Sequence, residues 1–283
     1  MKAKKCIVLC VLTMTYFVSY SQLRYPIIGT YMKKSAQGMA IYEDSAFLMS
    51  DGGQCRVLDL QKGVITRTFI IGSAAKSNHA NTACFRKKAL NYKYKIPLLY
   101  LSECTGKGRC FIEQFTHNSS ILLQTIEMFE NGKNLRVANW TLDNDNNCMY
   151  AIVRNREELL DSAWNVRCRI FKFRIPELNE GIYVRFNEKD VIDQFDVIFP
   201  NVMQGVKIRG KYMYLVTGQS QSFYERKDGK REIYVIDLRK KRIIKSIDLT
   251  YVSTNEPEDI DFYNNKCLLY CGHEGGIYEV KLK

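Results

Sequence analysis

The chain repeats a short unit that only a β-sheet can use: an apolar run, a glycine turn and a second apolar run. Ala46 to Leu60 reads AFLMSDGGQCRVLDL. The same unit returns at Tyr212–Gly218 with Glu232–Leu238, across a longer loop, and at Leu268–Leu282, LLYCGHEGGIYEVKL. Leu98–Glu103 with Cys110–Phe115, and Cys148–Val153 with Arg169–Arg174, make two more. Short runs rich in Val, Ile, Tyr and Phe, bounded by turn residues, are strands. Each pair has another strand-like run before it. Val64–Ile71, Ser120–Glu127 and Arg242–Leu249 follow three of the pairs, and Val191–Ile198 is a weaker follower. Arg156 to Ala163 is the one stretch with a helical look.

Four strands recurring about every 40 to 65 residues are the mark of a β-propeller. Five units begin near Gln37, His79, Asn139, Gln204 and Glu256. A two-sheet sandwich or an irregular barrel leaves that five-fold recurrence unexplained. The fifth unit shows only three strands, while Leu23–Tyr31, LRYPIIGTY, has no unit of its own. The expected fold is therefore all-β: a five-bladed propeller closed by the N-terminal strand, which completes the last blade. Such closure removes an open edge that would invite aggregation.

Residues 1–21 stand apart from this pattern. Lys2, Lys4 and Lys5 precede an apolar stretch from Cys6 to Val18, and Ser19-Tyr20-Ser21 places small residues at the −3 and −1 positions of a cleavage site. That is the layout of a secretory signal peptide, and the apolar stretch is short for a membrane span. Cleavage before Gln22 is expected, leaving one propeller domain, 22–283, in the periplasm or outside the cell. Gln22 is not Cys, so no lipid anchor is expected, and no later run is long enough to cross a membrane.

The 283 residues carry a formal charge of +12. The basic residues are scattered; Arg86-Lys87-Lys88 and Arg239-Lys240-Lys241-Arg242 are short clusters between strands. Nucleic acid is not an expected partner, since binding it calls for a concentrated basic patch. Of ten cysteines, two lie in the leader. No paired CxxC spacing of a metal site occurs. Cys104 and Cys110 flank a possible hairpin turn and are the one candidate disulfide. Cys267 and Cys271, roughly 13 Å apart along a strand, cannot bridge each other.

Aligning the units brings out a polar residue at the start of each first strand: Gln37, Asn81, Asn139, Gln204 and Glu258. AQGMAI, Ala36–Ile41, and MQGVKI, Met203–Ile208, match closely. In a propeller the first strand is innermost, so these residues ring one mouth of the central channel. The loops between second and third strands, longest at 154–167 and 218–231, overhang the same mouth. A concave mouth with converging polar groups is the default ligand site, although amides at strand starts also serve to bond the next blade.

His79, two residues before Asn81, is placed on the same strand face, and an imidazole suits proton transfer near neutral pH. Glu256 and Glu258 are similarly i and i+2, beside Asp259. Paired carboxylates serve glycoside hydrolysis when they face each other across a substrate, which neighbours on one strand seldom do. His79 and Glu258 are the catalytic candidates. A cation held by Glu256, Glu258 or Asp259 is an alternative use of the same oxygens, but no metal or other cofactor is expected. P-loop, dinucleotide, nucleophile-elbow and HExxH motifs are absent. Asn118-Ser119-Ser120 and Asn139-Trp140-Thr141 match the glycosylation triplet.

On HANTACF, MQGVKI and EPEDIDFYNNKCLLYC, the chain resembles bacterial secreted β-propeller proteins of unassigned function. Its last motif is similar to that of helveticin-J-type and phage-tail propeller proteins, which implies binding at a cell surface or glycan. That pattern has Gly where Asp259 stands. The expected function is a binding module holding a polar, glycan-like ligand at the mouth through Gln37, His79, Asn81, Asn139, Gln204, Glu256 and Glu258, with Trp140, Trp164 and Tyr224 supplying aromatic faces. The alternatives are a hydrolase or lyase using the same mouth, and a scaffold offering loops 154–167 and 218–231 to a protein partner. Enzymatic activity is the less favoured reading.

Overall fold

The computed structural model describes residues 36–282 apart from 77, 91–94, 160–164, 201, 220–229 and 273–275. Their strands form five sheets. Blade 1 holds β1 (Ala36–Tyr42), β2 (Ser45–Ser50), β3 (Gln54–Asp59) and β4 (Val64–Ile70). Blade 2 holds β5 (Thr82–Leu90), β6 (Pro97–Ser102), β7 (Cys110–Phe115) and β8 (Ser120–Glu130), with β9 (Lys133–Asn134) folded back on β8. Blade 3 is built from β10 (Asn139–Asp143), β11 (Cys148–Leu159), β12 (Asn165–Arg174) and β14 (Asp193–Pro200); β13 (Tyr183–Phe186) leaves it. Blade 4 comprises β15 (Met203–Arg209), β16 (Tyr212–Thr217), β17 (Glu232–Asp237) and β18 (Arg242–Asp248). Blade 5 has β19 (Pro257–Tyr263), β20 (Lys266–Cys271) and β21 (Gly276–Val280).

Consecutive strands within a blade pair antiparallel, and β1, β5, β10, β15 and β19 meet in cyclic order around the hub. The fold is a five-bladed propeller. Its core is divided into five apolar clusters, one per blade interface. Phe47, Phe69, Phe85 and Phe115 join blades 1 and 2. Trp140, Phe171, Phe173 and Phe186 join blades 2 and 3. Cys168, Val206 and Leu215 lie between blades 3 and 4, and Val216, Ile260 and Leu269 between blades 4 and 5. The fifth cluster packs Leu268, Tyr270 and Ile277 of blade 5 on Met39, Leu48 and Leu58 of blade 1. This cluster closes the ring with described residues alone. The expected closing strand, 23–31, lies outside them, as does the leader.

Burial falls from hub to rim, which is why the sequence pattern differs between strands. β6 and β7 are buried along their whole length, whereas β4 and β18 expose most residues. Two expectations are corrected. Arg156–Leu159 is strand, not helix, because β11 runs on to pair Leu159 with Val166, and a ladder of sheet hydrogen bonds overrides local helical preference. Residues 160–163 of that stretch are not described. Cys104 and Cys110 form no disulfide: Cys110 pairs with Ser102 and turns into the blade 2–3 core, while Cys104 lies beyond the strand at φ 61°. None of the eight described cysteines is in a disulfide, and burial pushes the Cys55 and Cys110 thiols well up.

Two strands escaped the sequence pattern, the short β9 and β13. β13 arises between the third and fourth strands of blade 3 but adds in parallel to the outer edge of β8 in blade 2. Its Phe186 stacks on Phe173 with ring centroids 4.4 Å apart. The excursion straps the two blades together. Among the described residues no helix is long and apolar enough to cross a membrane.

Candidate functional site

The five ring residues stand at the inner ends of the innermost strands or, for Asn81, just before β5. All are buried; Asn139 is 0 % and Glu258 2 % exposed. In three blades a break in register marks the spot: between Ala36 and Met39, Met203 and Val206, and Pro257 and Asp259. Bulges of this kind release residues from the ladder and re-aim side chains. Gln37, Gln204 and Glu258 are the residues released.

Asn139 is partly consumed by structure. Its Nδ2 donates to Thr82 Oγ1 at 2.8 Å and to the Gln204 carbonyl, tying blade 3 to blades 2 and 4. Its Oδ1 has no hydrogen-bond partner, nor does Asn81 Nδ2. Buried polar atoms left unpaired are costly and invite a partner such as water or ligand. Gln204 Nε2 donates to Glu256 Oε1 at 2.6 Å and to the Gly218 carbonyl at 3.3 Å. Glu256 thus joins the ring from the blade 4–5 crossing.

Glu258 has the most unusual environment. Burial, then the charge of Glu256, then Asp259 and Asp51, push its carboxyl well above the usual carboxylate range. The shift favours the protonated carboxyl, a form able both to donate and to accept. Gly272 makes room for it, since a methyl group there would overlap the carboxyl.

His79 is placed differently from expectation. Ala80 takes a left-handed turn at φ 53°, so His79 and Asn81 do not share a strand face. His79 Nδ1 lies 3.2 Å from Asp51 Oδ1 in the β2–β3 turn, and both remain accessible, at 29 % and 51 % of their side chains. The mouth thus has an accessible rim of Asp51, His79 and Glu256 over a buried floor of Gln37, Asn81, Asn139, Gln204 and Glu258.

Next to that floor, side chains bond across the hub. Lys207 of blade 4 crosses the hub, donating to the Met39 carbonyl at 2.8 Å, to the Ala83 carbonyl and to Asp259 Oδ2 at 3.2 Å. Asp259 Oδ2 also accepts from Met39 N at 2.9 Å and Ala83 N at 3.2 Å, and its Oδ1 accepts from Ile260 N at 2.9 Å. Every one of those partners donates, so Asp259 serves as a carboxylate. Burial raises it to about 7, and the Lys207 charge holds it from rising further. Gly205 is required beside it, because a Cβ there would come within 2.6 Å of the Asp259 Cα. Asp259 is accordingly a structural plug, with its oxygens already engaged. Among the described residues no three His, Cys, Asp or Glu side chains gather as a metal site.

Other expected participants lie elsewhere. Trp140 is 2 % exposed in the blade 2–3 core, and its Nε1 donates to the Gly108 carbonyl at 2.8 Å, so it offers no face to a ligand. Trp164 and Tyr224 are outside the described residues, as are the tips of both overhanging loops. Asn139, being buried, is closed to glycosylation in the folded protein, while Asn118 sits in the β7–β8 turn. Lys207 was missed by sequence reasoning, although a signal existed: it replaces Ala40 in the alignment of MQGVKI on AQGMAI.

No family model matches the chain, and no curated protein does. Among solved structures the chain is similar to the glutaminyl cyclase of Myxococcus xanthus, at 12 % identity and a TM-score of 0.48, over 87 % of this chain and 89 % of that one. It is also similar to the hydrazine synthase of Kuenenia stuttgartiensis, at 9 % identity and a TM-score of 0.40, over 83 % of this chain. The chain spans 61 % of the hydrazine synthase chain.

Proposed function

We propose that this propeller is a binding module that takes a small, hydroxyl-rich, glycan-like molecule at the mouth formed by Asp51, His79 and Glu256. The observation that carries the reading is the floor of that mouth: a buried Glu258 carboxyl shifted toward its protonated form, and the unpaired Asn81 Nδ2 and Asn139 Oδ1 at the first strands of other blades. Hydroxyl groups both donate and accept, as does this set. Lys207 and Asp259 bond across the hub behind these residues, which favours a terminal sugar or a compact polyol over a threaded chain. Binding on a glycan array should fall at least tenfold in His79→Ala and in Asp51→Asn, both accessible positions whose change leaves the core intact. A complete array without a hit defeats the reading.

A buried acid with a raised pKa, near the Asp51 carboxylate that pairs with His79, also suits general acid–base chemistry. Turnover of glycosides or phosphate esters that disappears in His79→Ala would assign the same mouth to a hydrolase or lyase.

We further propose export to the periplasm or beyond, followed by removal of residues 1–21. Support comes from the lysine-led apolar stretch and Ser19-Tyr20-Ser21. Amino-terminal sequencing of the protein secreted by a bacterial host should begin at Gln22; an intact Met1 on all of it refutes the proposal.

A further inference from the structure

The same face of the propeller carries a second concavity, well out from the hub, between blades 2 and 3. It encloses about 970 Å³, at the upper end of the range of small-molecule sites. Four arginines line it, Arg136, Arg154, Arg167 and Arg169, against two carboxylates among the described lining residues, Glu130 and Asp196.

The arrangement follows from the strands. Alternation along β12 sends Arg167 and Arg169 to one face, and the register sets Val153 of β11 and Asp196 of β14 on either side of Arg169. Asp196 is shared: its Oδ1 is 3.0 Å from Arg169 Nε, and its Oδ2 is 3.7 Å from Arg167 Nη1. Both arginine side chains keep nearly half their surface exposed, 49 % for Arg167 and 45 % for Arg169. From the facing blade, Arg136 is held in place by its backbone. It sits at φ 47°, its N–H donates to Asn134 Oδ1 at 2.9 Å, and Gly108 packs against its carbonyl carbon. A further acid nearby, Glu103, does not compete, because Arg109 occupies both its oxygens. Phe171 forms an apolar floor, 3 % exposed.

Arginine presents a planar fork of donors that fits the oxygens of phosphate and sulfate groups in pairs. Arginines from both walls of a cleft of this size match a ligand with more than one such group. We propose that the blade 2–3 cleft binds a compact ligand carrying at least two phosphate or sulfate groups. The site is distinct from the hub mouth, and its fate does not depend on the glycan reading.

Calorimetry on the full chain at about 50 mM salt, where charge contacts are weakly screened, tests this with pyrophosphate, a disulfated disaccharide and the same disaccharide unsulfated. At least one anionic probe should bind and the neutral sugar should not bind at this cleft; the anion that binds identifies phosphate or sulfate as the natural group. Arg167→Ala with Arg169→Ala should weaken binding at least tenfold. Asp196→Asn, which removes the competing carboxylate, should tighten it several-fold. Arg239→Ala with Lys240→Ala, on the β17–β18 turn at the opposite end of the blades, removes the same charge and should change binding less than twofold. The proposal fails if neither anion binds at millimolar concentration. It fails equally if the two double variants weaken binding alike, or if Asp196→Asn weakens it.

Discussion

Replacing Lys207 with methionine should lower the free energy of unfolding by about 3–5 kcal/mol, the usual cost of leaving one member of a buried ion pair without its partner. Methionine nearly conserves the volume, so the loss isolates charge and hydrogen bonding. Three acceptors are orphaned at once: the Met39 carbonyl, the Ala83 carbonyl and one side of Asp259. These belong to blades 1, 2 and 5, and the lysine comes from blade 4, so the change weakens the hub instead of one sheet. Adding Asp259→Asn should restore part of the loss. A neutral amide oxygen can still accept from Met39 N and Ala83 N, while the uncompensated charge is gone. Denaturant titration at pH 7.5 of the wild type, the single variant and the double variant gives the comparison. A loss below about 1 kcal/mol in Lys207→Met shows that the pair contributes little net stability.

That plug marks the boundary of what could be read from the chain. The blades were legible because each one rests on local signals: glycine or Asx turns, and runs whose apolar residues face both neighbouring blades. The ring start was legible too, since the Gln-Gly pairs at 37–38 and 204–205 coincide with breaks in register that the repeat preserves. Contacts that depend on the assembled ring left weaker traces. Lys207 and Asp259 meet only when blades 4 and 5 pack, and Lys207 reaches the Met39 and Ala83 carbonyls only across the assembled ring, while in the sequence each merely departs from its counterpart in another blade. Strand β13 could not be placed because its partner β8 lies nearly sixty residues away and its four residues carry no turn of their own. The position of His79 turned on one left-handed residue, Ala80, which no alternation pattern encodes. Trp140 was read as a ligand face because tryptophan suits both sites and cores, and the sequence does not say which side of β10 meets blade 2.

The Glu258 carboxyl should make the protein lose stability as pH rises, a direction opposite to that of an ordinary salt-bridged acid. A carboxyl whose folded pKa is raised holds its proton more tightly in the folded state than in the unfolded one. The stability it contributes is complete below the unfolded value, near 4.5, and is lost as pH climbs through the folded value. Within that window each such group imposes a slope of up to about 1.4 kcal/mol per pH unit. Asp259, raised to about 7, acts in the same direction. Thermal unfolding of the wild type should therefore show Tm falling between pH 5 and pH 8. Glu258→Gln keeps the shape, removes the titration and leaves Asp259 in place. Its profile should be visibly flatter, and at pH 8 the variant should be the more stable protein. Because glutamine can still donate and accept at the floor of the mouth, the same variant separates the two uses of that site. Sugar binding should survive Glu258→Gln within a few fold, whereas proton transfer through this carboxyl would be abolished. Superimposable pH profiles for the two proteins would show that Glu258 is ionised when folded, and that the mouth is floored by a charge instead of a neutral acid.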